Sequence, residues 1–193
     1  MAQVKKQQVR DAILRSAYEL FKEKGYSQST MAEIARAAGT SVANLYVYFP
    51  SKLTLFYEVY APILASRLHL LADTAKQIAD PEARLRHILL TLWRDIPHED
   101  NGFARNLIQA IATSPPELEK PHGPLQWNVE FVNDLILGCL PAERRFMLKD
   151  STVSFLAWMA FDGFALNIGR EEERDFDKMV QHFAEMLLGK AAG

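Results

Sequence analysis

Apolar side chains recur every three or four positions along almost the whole chain, and no stretch shows the period-two alternation of a half-buried strand. The spacing predicts a first helix over about residues 4–24, with Val9, Ile13, Ala17, Leu20 and Phe21 on its apolar stripe and Gly25 ending it. Short helices follow over 31–38 and 42–49. Pro50-Ser51 then breaks the chain, and a long helix over about 52–79 carries Leu55, Val59, Ile63 and Leu71. Asp80-Pro81 restarts a helix that reaches about 95. Another covers 102–113 before the breaker Ser114-Pro115-Pro116. Pro121, Gly123 and Pro124 interrupt the chain ahead of a helix over about 125–140. Beyond Pro141 come a short helical stretch, a long helix near 151–169 and a last one near 175–188. The expected fold class is all-α, with about nine helices. A small N-terminal module over 1–50 is followed by a larger helical bundle over 51–193.

The two short helices carry the most explicit local chemistry. Thr30 and Glu33 have the spacing of a capping box, which fixes the start of the second helix. Ile34 and Ala38 face the core, and Ala35 is small enough for a crossing helix to come close. Gly39 can take the left-handed conformation that ends this helix, and Ser41 caps the third helix two residues later. Two short helices around so tight a turn form a helix-turn-helix. The third helix suits a major groove. Val42 and Ala43 are small, Asn44 carries an amide that can pair with an adenine edge, and Thr40 and Ser41 bring hydroxyls. Leu45 and Phe49, four apart, anchor the helix to the first one. Tyr46 and Tyr48 bring phenols near phosphate height, and Lys52 adds a cation at the start of the next helix. Spacing alone also allows an ordinary capped helical hairpin.

Charge sharpens this reading. The net charge is −2, yet residues 1–60 hold eight Lys/Arg against five Asp/Glu, and residues 61–193 hold fourteen against nineteen. A basic head on an acidic body suits a protein whose head alone meets a polyanion. Cys139 is the only cysteine, so no intramolecular disulfide or cysteine metal cluster is expected, and it reads as a small buried hydrophobe. The five histidines are dispersed, and His98-Glu99-Asp100 reads as a solvated polar loop. Neither a metal nor a cofactor is expected. The N-terminus lacks a signal-peptide pattern, and 153–168, interrupted by Asp162, is short for a membrane span. A soluble, cytoplasmic protein without membrane contact is the expectation.

Ile13-Leu14 through Leu20-Phe21, Gly25-Tyr26, Ser29-Thr30, Ile34-Ala35, Ala38-Gly39, Leu45-Tyr46, Phe49 and Ser51-Lys52-x-x-Leu55 together resemble the signature of the tetracycline-repressor (TetR) family. The match covers roughly residues 9–60. Beyond it, only the number of helices corresponds. The resemblance implies an N-terminal three-helix helix-turn-helix domain joined by a long helix to a C-terminal ligand-binding and dimerisation bundle. It implies a homodimer on a palindromic DNA operator, with recognition helices about 34–36 Å apart in successive major grooves. DNA contacts are then expected from Thr40, Ser41, Val42, Ala43, Asn44, Tyr46 and Tyr48, with Thr30 and Lys52 on phosphates. Thr40, Ala43 and Tyr48 depart from the valine, glycine and histidine frequent at those places, which puts the operator sequence out of reach.

The remainder suggests a small-molecule effector that is largely apolar. Trp93, Phe103, Trp127, Phe131 and Trp158 are large aromatics, and Asn128 and Asp162 are polar residues in apolar stretches. All seven are ligand candidates, though aromatics at such places are more often plain core. Asp162 needs a partner, which can be a cation, a ligand or a group within a dimer. The penultimate helix is apolar almost all round and must be covered on two sides. Phe155, Met159 and Leu166 on it, with Phe176, Val180 and Phe183 on the last helix, are the candidates for a dimer interface. The alternative functions are a helical protein-interaction adaptor or a small helical enzyme. No glycine-rich phosphate loop, nucleophile elbow or paired-His zinc helix supports the latter.

Overall fold

A computed structural model describes residues 2–114, 122–168 and 175–190 of the chain. Those residues contain ten α-helices and no strand. They fall into two compact units, Met1–Ile63 with Asn101–Pro121, and Leu64–Asp100 with His122–Gly193. Compactness therefore divides the chain differently from the expected boundary at residue 50: the first half of the long helix, and a helix some 40 residues further on, go with the head.

The first unit holds α1 (Ala2–Gln28), α2 (Met31–Ala37), α3 (Val42–Tyr48), α4 (Lys52–Lys76) as far as Ile63, and α7 (Phe103–Thr113). Its core is built from the predicted stripe: Ile13, Ala17 and Phe21 of α1 are buried with Ile34, Leu45, Phe49 and Phe56. Aromatic rings dominate one end. Phe21 meets Phe56 edge-on with centroids 4.8 Å apart, and Phe103 stacks on Tyr18, Phe56 and Tyr60 at 5.5–5.7 Å. Such rings each bury a large apolar area and gain from their offset geometry. Gly25 interrupts α1 where the stop was expected, with φ 76° and ψ 173°, a region essentially closed to residues with a Cβ.

The second unit holds the rest of α4, α5 (Pro81–Leu90), α6 (Ile96–Glu99), α8 (His122–Leu137), α9 (Thr152–Asn167) and α10 (Phe176–Leu188). Asp80 caps α5 by accepting the Ala83 N–H, and Pro81 takes the first turn, where its missing N–H costs nothing. The helix does not stop near 95 as expected. It widens into a π-turn over Thr91–Asp95, in which the Ile96 N–H reaches back to the Thr91 carbonyl, and continues as α6. The wide turn lies just ahead of Pro97, whose ring would crowd the carbonyl four residues earlier in a regular helix. A 3-10 segment, Ala142–Leu148, fills the short stretch after Pro141.

α8 starts three residues earlier than expected and runs through Gly123 and Pro124. Pro124 is in its first turn, where backbone N–H groups have no partner within the helix, so the proline does not break it. Pro115, Pro116, Pro121 and the expected helix end at Gly169 lie outside the described residues. α5 packs on α10 and α8 on α9, around Leu85, Ile88, Leu92, Val132, Ile136, Phe161, Val180, Ala184 and Leu187. No helix among the described residues is long and apolar enough to cross a membrane.

Candidate nucleic-acid interface

The site begins at the kink of α1. Ser29 is buried, and its hydroxyl lies 2.8 Å from the Gly25 carbonyl and 3.1 Å from that of Leu20, so it can donate to either. Thr30 follows as the cap of α2, and the capping box is complete. Thr30 Oγ1 accepts the Glu33 N–H at 3.2 Å, while the Thr30 N–H donates to Glu33 Oε2 at 3.0 Å. Lys24 reaches Glu33 Oε1 at 3.0 Å. That hydrogen bond, then those from Thr30, hold the Glu33 carboxyl down at about 2. The exposed pair with Lys24 adds little stability; the cap fixes where α2 starts.

α2 ends as the sequence predicts. Gly39 has φ 67°, its N–H donates to Arg36, and the Thr40 N–H donates to Ala35 at 2.9 Å, the paired bonds of a Schellman turn. Ser41 then caps α3 through the Asn44 N–H at 3.1 Å. Leu45 and Phe49 are buried behind α3, with Arg10 over the Phe49 ring at 5.5 Å and paired with Glu58. Ser41, Val42, Ala43 and Tyr46 are exposed on the outer side, and Thr40, Asn44 and Tyr48 are half-exposed. Asn44 Nδ2 donates to Thr40 Oγ1 at 2.8 Å, which sets the amide's orientation before any partner arrives. The geometry thus brings together seven of the nine expected contact residues on or beside one short helix.

Lys52 is placed otherwise. Its ammonium donates to the carbonyls of Tyr26 at 2.8 Å and Ser29 at 3.0 Å and lies 4.2 Å from the centre of the Tyr26 ring. Burial lowers its pKa and raises that of the Tyr26 phenol. In the unbound chain Lys52 therefore staples α4 to the turn between α1 and α2 instead of projecting toward a phosphate. Thr30 is likewise engaged in its cap, and its exposed hydroxyl also meets Glu33 Oε2 at 2.9 Å.

The ligand candidates do not gather in one place. Phe103 is a core ring of the first unit. In the second unit Trp93 is buried, donating its indole N–H to the Ala157 carbonyl at 2.8 Å and packing on Phe164 and Phe183. Trp158 stacks on Phe161 in the core. Trp127 and Phe131 form a separate, partly exposed cluster with His69, at 5.7 and 5.1 Å. Sequence reasoning missed His69, because a single histidine in a helix carries no periodic signal. Asn128 is buried. Asp162 is half-buried, and desolvation pushes its carboxyl up to about 6. Of the interface candidates, Phe155 (44% exposed), Met159 (40%) and Leu166 (38%) lie open on α9, joined by Leu156 (58%). Phe176 and Val180 turn into the chain's own core, and Phe183 packs on Trp93.

A capped helix-turn-helix whose second helix shows small and polar side chains outward is the reading head of a DNA-binding regulator. Known proteins agree. Residues 13–59 match the profile of bacterial regulatory proteins of the tetR family. The transcriptional regulator RutR of Escherichia coli K12 is 28% identical over 156 residues, 80% of this chain and 72% of that protein. AcrR of Shigella flexneri is 36% identical over 106 residues, 54% of this chain and 48% of that one. A transcriptional regulator from Rhodococcus sp. RHA1 has the same fold, with a TM-score of 0.68 at 18% identity over 94% of this chain and 95% of that one. FadR of Thermus thermophilus, solved with lauroyl-CoA, gives 0.61 at 22% identity over 95% of both chains. The helix-turn-helix segment, residues 13–59, is thus similar to that of bacterial regulatory proteins of the tetR family, and the chain shares its fold with solved structures of such regulators.

Proposed function

We propose that this protein is a homodimeric, ligand-responsive repressor that reads a palindromic operator through α2 and α3. The observation that carries the reading is the outer side of α3. Ser41, Val42, Ala43 and Tyr46 are exposed there beside half-exposed Thr40 and Asn44, side chains suited to a major groove, while Leu45 and Phe49 hold the helix from behind. The positive balance of residues 1–60 supports an approach to phosphates. The open face of α9 supports a second copy, since a row of large apolar side chains left in water favours association. A cytoplasmic place fits a DNA target.

The second unit is the proposed effector domain, with a largely apolar small molecule as ligand. Ligand would favour one arrangement of the two heads over the one that matches successive grooves, and so release DNA. The lauroyl-CoA and stearoyl-CoA complexes of two FadR proteins of this fold make acyl-CoA a sensible first probe. Selection from a random duplex pool tests the DNA reading. It should enrich a palindrome whose half-sites are about one duplex turn apart, with affinity falling steeply as salt rises. Recovery of no enriched sequence would overturn it.

A further inference from the structure

We propose that Asn106, on α7, is a positioning residue for the reading head, holding the turn from which α2 starts. The inference rests on the DNA-reading function proposed above and concerns contacts wholly within the first unit. Asn106 Oδ1 accepts the Tyr26 backbone N–H at 3.1 Å, across 80 residues of sequence. Its own Nδ2 donates to the Gly102 carbonyl at 2.9 Å, which fixes the amide so that the oxygen faces Tyr26. The approach is close enough that a Cβ on Gly25 would lie 3.0 Å from Asn106 Oδ1. Gly25 is therefore required twice, for its backbone conformation and for the space Asn106 occupies.

The other side of the same turn is held by Lys52, through the carbonyls of Tyr26 and Ser29. Residues 25–29 are thus clamped by an amide from α7 and an ammonium from α4, and the next residue, Thr30, caps α2. A shift of α7 acts on the first residue of the helix-turn-helix without passing through its core. α7 is suited to such a role. It follows two left-handed residues, Asn101 (φ 57°) and Gly102 (φ 76°), and Phe103 at its start is stacked on rings of α1 and α4. The chain on both sides of this inserted segment belongs to the second unit.

The test compares wild type with Asn106→Ala, Asn106→Asp and Asn133→Ala on the duplex that wild type enriches. Asn106→Asp keeps an acceptor for Tyr26, while it replaces the donor to Gly102 with a second oxygen and adds a negative charge. Asn133→Ala removes a side-chain bond to Ser154 in the second unit and serves as the stability control. Asn106→Ala should bind the duplex about tenfold more weakly, a change of about 1.4 kcal/mol. Its Tyr26 amide should also exchange hydrogen faster, while Asn106→Asp stays within about threefold of wild type. Asn133→Ala should bind as wild type does. Wild-type affinity in Asn106→Ala with a fast-exchanging Tyr26 amide would overturn the proposal, as would equal losses in Asn106→Ala and Asn133→Ala. If Asn106→Ala does not fold, a tenfold loss in folded Asn106→Asp would overturn the acceptor role. Failure of wild type to enrich any duplex would sink the DNA reading first, and this proposal with it.

Discussion

Asp162 shows how much a single side chain depends on what covers it. It lies on α9, whose neighbouring positions Phe155, Met159 and Leu166 are apolar and open, and burial alone raises its carboxyl to about 6. A folded-state pKa above the ordinary carboxylate value means that the folded chain holds its proton longer than the unfolded one. Stability from this group is complete below about pH 4 and is lost as pH rises to about 6. Asp162→Asn should therefore leave stability unchanged near pH 4. At pH 7 it should raise stability by about 1–2 kcal/mol, the shift being discounted for the part of the carboxyl that stays wet. Denaturant midpoints at the two pH values check this; a difference independent of pH would contradict it. Lys52 and Asn106 are residues whose roles the sequence left hidden. A lysine at the start of a helix reads alike whether it faces a phosphate or a carbonyl, and the Tyr26–Asn106 bond spans 80 residues. Thr30, Gly39 and Ser41 were legible because their roles are set within three or four residues of chain.

At the scale of elements, the helices were readable and their surroundings were not. Periodicity located the long helices, Gly25 marked the break within α1, and Gly39 marked the end of the short α2. Proline misled at 124, where a first-turn position lets α8 run on, and the helix expected to end near 95 continues through a π-turn. An amphipathic stripe also does not say which core covers it. Val180 and Phe176 of α10 close the chain's own core, while Phe155, Leu156, Met159 and Leu166 of α9 remain open. A dimer built on that face should fail when a charge enters it. Met159→Glu should sediment as a monomer, keep its helical circular dichroism, and lose operator affinity because two half-sites are no longer bound together. A dimer of unchanged stability in Met159→Glu would remove α9 from the interface.

For the molecule as a whole, charge and chemistry divide along the chain as the proposed functions do. Residues 1–60 carry the positive balance and the helix-turn-helix, and the remainder carries the acidic excess and most of the large apolar faces. The head was legible in the sequence because DNA reading needs a short run of caps, small residues and hydroxyls in fixed order. The proposed effector site was not, since its candidates divide between buried core rings such as Trp93 and Trp158 and the open cluster of His69, Trp127 and Phe131. The central claim is that two copies read one duplex, each through its α3. Hydroxyl-radical footprinting of the enriched duplex tests it most directly. Two protected windows on one face, with centres about 10–10.5 base pairs apart or a multiple of that, are the expected result. A single window, or protection without that spacing, would contradict it.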